Sequence, residues 1–175
     1  MLAPRKTLWS TPLSAVDHLQ RWIQLRANDC VCDIGCGDGR ILFQWAERHA
    51  EQHPDVPVRF IGIDIDPERI EKCHSTLQTK TFPATIQLSF VCANALESTS
   101  LFQDATIFFL YLIPRGLKII LPVLKEHQQA KSPDRCLQVA TYMAKLPGET
   151  PVDRALLSVD HQPEAAWPLY FYKLS

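Results

Sequence analysis

The stretch DCVCDIGCGDGRIL, residues 29–42, decides how the rest of this 175-residue chain is read. Cys30, Val31, Cys32 and Ile34 form a short apolar run ending in glycines, the pattern of a strand buried on both faces of a parallel sheet. Gly35, Gly37 and Gly39 supply a turn in which backbone can approach a ligand closely, and Arg40, Ile41, Leu42 and Trp45 resume at helical spacing. The order is strand, glycine turn, helix. A helix N-terminus beside such a turn favours an anion, either a phosphate or a carboxylate. A dinucleotide-binding turn places its third glycine three residues after its second, and that position is Arg40, which argues against NAD. Further on, VRFIGID (58–64) reads as a second apolar strand ending on Asp64, where a carboxylate can accept both hydroxyls of a ribose.

Composition sets the outer bounds. Hydrophobic residues make up 46%, enough for a packed core, and the formal net charge of -1 supplies no basic field to hold nucleic acid. Six cysteines, mostly in predicted strands, read as small buried apolar residues in a reduced, intracellular setting, cytoplasmic in the simplest case. Cys30, Cys32 and Cys36 follow none of the paired zinc spacings, so no metal is expected. The first twelve residues, MLAPRKTLWSTP, lack the apolar core of a secretory signal, and the most apolar run, 106–114, is too short to cross a bilayer. No membrane span is expected.

Taken in order, Thr11 and Pro12 read as an N-cap and first helical residue, followed by Val16, Leu19, Trp22 and Ile23 on one apolar face. Residues 49–57 are polar, hold two prolines and read as a loop. A second strand over 58–66 leads to Asp66 as cap of a helix over 67–79, with Ile70, Cys73, His74 and Leu77 inward and His74 structural. The third strand, 85–92, ends on Ala93, Asn94 and Ala95. The fourth, DATIFFLYLIP (104–114), brings Tyr111 and Pro114 to the crevice, because ligands of open α/β sheets sit outside the carboxyl ends of the strands. Leu117, Ile120, Leu121 and Leu124 give a helix ending near His127, then come a polar link over 128–134 and a fifth strand over 137–142. Pro147, Gly148 and Pro151 forbid a helix over 144–154, and 155–159 with 169–173 read as closing strands joined by a loop with proline and tryptophan. The fold class is α/β: a mostly parallel twisted sheet, helices on both faces, and an antiparallel last strand. One domain is expected over 1–175, with 1–27 as N-terminal segment and covering helix and 28–175 as the core.

On DIGCGDGRI, GIDIDPERI, the TP before the first helix, and LYLIP followed by LPVLKE, the chain resembles the class I S-adenosylmethionine-dependent methyltransferases, which have a Rossmann-like fold. Within them it is similar to a small group that includes the lysine methyltransferases of ATP synthase subunit c and the adenine nucleotide translocator and their bacterial relatives. The match covers roughly residues 11–142. It implies S-adenosylmethionine as cofactor, with Asp33, Gly35 and Gly37 flanking the methionine part, Asp64 on the ribose, and Ile65, Asn94 and Ala95 beside them. Asn94 stands where the family usually has an acid for the adenine amino group; its amide oxygen accepts the same bond without the charge. The resemblance implies methyl transfer to a lysine of a protein partner, with a small-molecule or RNA acceptor, or a non-catalytic cofactor-binding subunit, as alternatives. Tyr111 is the candidate catalytic residue, shaping the wall beside the transferred methyl, and Thr11 and Pro114 lie on the substrate side. The oligomeric state is left open.

Overall fold

A computed structural model describes residues 10–130, 136–159 and 162–175. Seven strands form one sheet in the order β3-β2-β1-β4-β5-β7-β6, where β1 is Asp29–Ile34, β2 Val58–Asp64, β3 Ile86–Cys92, β4 Ile107–Leu110, β5 Leu137–Tyr142, β6 Asp153–Val159 and β7 Gln162–Leu174. β3 through β5 are mutually parallel, and β7 runs antiparallel to both β5 and β6. The helices are α1 (Ala15–Trp22), α2 (Arg40–Gln52), α3 (Pro67–Gln78) and α4 (Pro114–Gln129).

Two cores sandwich the sheet, and strand alternation assigns residues to them. On β1, Val31 faces the core under α1, α2 and α3, whereas Cys30, Cys32 and Ile34 face the core under α4. β4 divides likewise, with Ile107 and Phe109 on the first side and Phe108 and Leu110 on the second. All six residues of β1 are buried, as a central parallel strand requires. β3, at the sheet edge, alternates buried and exposed positions instead.

Several boundaries differ from the sequence reading. α1 begins at Ala15 and not beside Pro12: Thr11 caps nothing, Ser14 is the N-cap without a side-chain bond, and the turn before it is closed by Ala15 N–H to the Pro12 carbonyl at 3.0 Å. α2 runs to Gln52, into the expected loop, because His49 is buried and its Nε2 pairs with the Val56 carbonyl at 3.1 Å. Asp66 does cap α3, its Oδ1 accepting from the N–H groups of Glu68 and Arg69. His74 is exposed on α3 and not inward; its ring reaches the Phe90 carbonyl at 2.9 Å.

The fourth strand is only four residues long. Before it, a 3₁₀ turn over Thr99–Phe102 and the Thr106 side chain, which bonds Asp29 at 2.7 Å, occupy the chain; after it, Ile113 and Pro114 start α4, and a proline cannot extend the ladder. α4 continues past His127 to Gln129 and tolerates Pro122 because Leu117, Ile120, Leu121 and Leu124 bury one face. The expected polar link therefore begins later, and its residues 131–134 lie outside the described residues. No helix follows β5. Residues 144–152 loop back, with buried Leu146 donating its N–H to the Tyr172 hydroxyl at 3.1 Å. The proline and tryptophan after β6 belong to β7, where Trp167 pairs with Leu157 and Pro168 with Leu156. Among the described residues, no helix is long and apolar enough to cross a membrane.

Candidate active site

The strand order reverses between β1 and β4, so the ends of these two strands diverge and leave a crevice above the sheet. A pocket lies there. Its floor is the turn after β1, with Asp33, Gly35, Cys36 and Gly37; Phe109 and Tyr111 close it from the β4 side. Ser10 and Thr11, ahead of α1, cover it, while Asp38, Arg40 and Ile41 form the side where α2 begins.

The turn is held by β2. Gly35 and Cys36 both donate to the Ile63 carbonyl, at 2.7 and 3.1 Å, and Gly37 donates to Asp64 Oδ2 at 2.8 Å. All three glycines of the turn have positive φ, and Gly39, at +73°, is also the N-cap of α2. A Cβ there would stand 2.7 Å from the Phe90 ring, so neither the conformation nor the space admits a side chain. Asp64 itself is buried, and its Oδ1 accepts from the Asp66 N–H at 2.9 Å. Arg69 approaches its Oδ2 at 3.8 Å.

Asp33 is 3% exposed, and its Oδ1 has no hydrogen-bond partner among the described residues. Burial, with the charges of Asp64 and Asp38 behind it, pushes its carboxyl well above the usual range. A buried carboxyl with one oxygen left without a partner among the described residues, in a pocket wall, suits a cationic ligand group. Asp38 behaves differently. Burial raises it, but the hydrogen bonds and charge of Arg40 outweigh burial and leave it below its ordinary value. Cys36 hydrogen-bonds Cys73, and this bond together with burial pushes its thiol up, the state of a structural cysteine.

On the β4 side, Tyr111 donates its hydroxyl to Met143 Sδ at 3.0 Å and meets Tyr142 edge-on at 5.0 Å between centroids. Met143 has φ of +68°, unusual for a bulky residue, and its N–H bonds the Pro168 carbonyl at 2.7 Å. Burial, then the neighbouring Tyr111, pushes the Tyr142 phenol up to about 12.

Of the residues named from sequence, Asp33, Gly35, Gly37, Thr11 and Tyr111 line this one pocket, and Asp64 is tied to it through Gly37. Ile65, Asn94 and Ala95 follow the ends of β2 and β3 and do not line the pocket. Asn94 closes a turn, its Oδ1 accepting from Leu96 N–H at 3.2 Å and its amide donating to Glu97 at 2.8 Å. Pro114 is exposed at the start of α4, and Ala95 is buried in the core beneath that helix. Sequence reasoning assigned no site role to Cys36, Asp38, Arg40 or Phe109. Asp38 and Arg40 carried a readable signal, opposite charges two apart inside a glycine turn; Phe109 carried none beyond apolarity.

Residues 25–155 match the methyltransferase domain family, and the chain belongs to it. Its cofactor is therefore S-adenosylmethionine, and the fold and turn described above are those of the class. A tRNA (guanine-N(7)-)-methyltransferase of Brevibacillus brevis is 35% identical over 80 residues, 46% of this chain and 33% of that protein. A protein-lysine N-methyltransferase of Saccharolobus islandicus is 26% identical over 117 residues, 66% of each chain. The chain thus spans a third of the first relative's length and about two thirds of the second's. Among solved structures, an RNA methyltransferase from Salinibacter ruber in complex with S-adenosyl-L-homocysteine superposes with a TM-score of 0.69 at 23% identity, covering 95% of this chain and 94% of that one.

Proposed function

We propose that this methyltransferase acts on the side-chain amine of a protein lysine, with the methionine end of the cofactor in the pocket between β1 and β4, the ribose at Asp64, and the adenine toward Ile65, Asn94 and Ala95. Asn94 Oδ1 keeps a second lone pair for an adenine amino group beside its bond to Leu96. The observation that carries the lysine reading is the acceptor wall: Tyr111 lines the pocket, backed edge-on by buried Tyr142. When bound, the cofactor supplies an electrophilic sulfonium methyl. In-line displacement then needs the amine deprotonated and held close to that carbon. A partly desolvated aromatic wall disfavours the ammonium form and so favours the nucleophile. Thr11 and Pro114 are assigned to the same side. The weak net charge and the likeness to an archaeal protein-lysine methyltransferase support this reading.

An RNA acceptor is the second reading, favoured by the tRNA and RNA methyltransferases among the relatives. Incubation with methyl-labelled cofactor and fractionated cell extract tests both. The expected result is label in protein, recovered as methyllysine after acid hydrolysis. Label recovered in RNA would replace the first reading with the second, and label in neither polymer would overturn both.

A further inference from the structure

We propose that Arg40 recognises the α-carboxylate of the cofactor's methionine end, making the pocket a receptor for a zwitterion with its anionic side buried and its cationic side at the rim. The inference rests on placing the methionine end in the pocket between β1 and β4.

Charge arithmetic motivates it. An amino-acid group entering this pocket meets Asp33 and Asp38 on the wall and Asp64 just behind Gly37. Its ammonium suits these three acidic groups, whereas its carboxylate finds no opposite charge among them. Arg40 is the one cationic side chain among the described residues lining the pocket. The backbone route to the same anion is partly used, since the Arg40 N–H, in the first turn of α2, bonds Asp38 Oδ1 at 3.3 Å.

The geometry of Arg40 suits the task. Its side chain folds back on Asp38, with Nε 3.0 Å from each carboxylate oxygen and Nη2 2.6 Å from Oδ2. Those bonds fix the plane of the guanidinium while leaving Nη1 for a second carboxylate, an arrangement that the rigid fork of arginine permits and a lysine does not. The side chain is 41% exposed, so it stands at the rim. Asp33 supplies the independent observation at the other pole, with a buried oxygen that has no partner among the described residues. Asp38 then serves as an orienting residue that holds Arg40 over the pocket.

The test compares ligands that differ only at the methionine end. S-adenosylhomocysteine carries both charges, its decarboxylated counterpart, decarboxylated S-adenosylhomocysteine, lacks only the carboxylate, and 5′-methylthioadenosine lacks the whole amino-acid group. Each is titrated calorimetrically into the wild type, Arg40→Ala and Asp33→Asn, with thermal unfolding recorded beside. Arg40→Ala is expected to lose at least tenfold in affinity for S-adenosylhomocysteine, to keep its affinity for 5′-methylthioadenosine within twofold, and to bind the decarboxylated ligand as well as or better than wild type. Asp33→Asn is expected to weaken both ligands that carry the ammonium. An equal loss for all three ligands in Arg40→Ala would reduce Arg40 to a support of the turn and overturn the proposal. So would unchanged S-adenosylhomocysteine affinity in Arg40→Ala: with Asp33→Asn impaired, Arg40 alone is misassigned, and with both variants unimpaired, the pocket does not hold the methionine end.

Discussion

Asp64 does two things at once. As the proposed ribose ligand it would offer charge-assisted bonds to hydroxyls, and in the protein alone it already accepts the N–H groups of Gly37 and Asp66. Asp64→Ala is expected to weaken S-adenosylhomocysteine binding at least tenfold. It should also lower stability by about 1–3 kcal/mol for each buried donor left unpaired. Calorimetry and thermal unfolding on the same sample check the two effects separately, and Asp64→Asn, which keeps one acceptor, should be milder in both. Tyr111 poses the opposite case, a residue whose removal should spare the cofactor. Tyr111→Ala is expected to leave cofactor affinity within a few fold while turnover falls by an order of magnitude or more, since a misplacement of roughly 1 Å costs about a hundredfold. Tyr111→Phe keeps the wall and loses only the bond to Met143 Sδ, so its turnover should lie between the two. Joint loss of stability, cofactor and turnover in Tyr111→Ala would mark it as a core residue instead.

At the scale of elements, the turn after β1 is seated by its neighbours as much as by its own glycines. Gly62 in β2 has no side chain because a Cβ there would stand 2.5 Å from Phe90 Cδ1 and 2.9 Å from Cys36 Sγ. Phe90 of β3 thus fills the space over Gly62 and Gly39 together and packs on Phe43 of α2 at 5.0 Å between centroids. Gly62→Ala is expected to cost about 1–3 kcal/mol by overpacking. Combining it with Phe90→Leu should cost less than the sum of the two single changes, because they share one volume. Denaturant unfolding of the four proteins measures that coupling, and strict additivity would show that Phe90 does not seat the turn. Gly62 reads in the sequence only as an interruption of an apolar strand. Phe90 reads only as apolar, and what joins them is the pairing of Gly62 with Phe90 in the ladder.

For the whole molecule, Asp33 links folding to pH. Its folded carboxyl is raised, burial being the first cause, so the native state binds the proton more tightly than the unfolded chain. By linkage, its contribution to stability is fully present below the ordinary aspartate range and is lost as pH rises through the raised value. At neutral pH the raised carboxyl therefore weakens the free protein, because the unfolded chain ionises it in water while the folded chain must bury it. Asp33→Asn is expected to raise the unfolding temperature of the free protein at pH 7, with the gain shrinking toward zero as pH falls below the aspartate range. Calorimetric scans of both proteins across that window provide the check. A variant less stable than wild type at pH 7 would mean that Asp33 is held by partners and is not strained by burial.

What the sequence by itself determined was the order of elements around its strongest local signals. Residues 29–42 specify strand, turn and helix because a buried apolar run, glycines and a 3.6-residue period each restrict the backbone on their own. Asp66 before Pro67 specifies the start of α3 in the same way. Only the tertiary structure decided where β4 stops, that β7 enters between β5 and β6, and which side chains face the pocket. Those outcomes depend on register. Phe109 lies opposite Asp33 because β4 pairs with β1 in one alignment, and a slip of one residue would turn Phe108 toward the pocket in its place. Thr11 reads as a helix cap by its neighbours in sequence, yet it covers the turn after β1 because α1 packs its buried Ala15, Val16 and Leu19 into the core beside α2. The sum of that burial over many residues outweighs the preference of a single capping side chain, worth about 1 kcal/mol, and it is a sum that no local stretch contains.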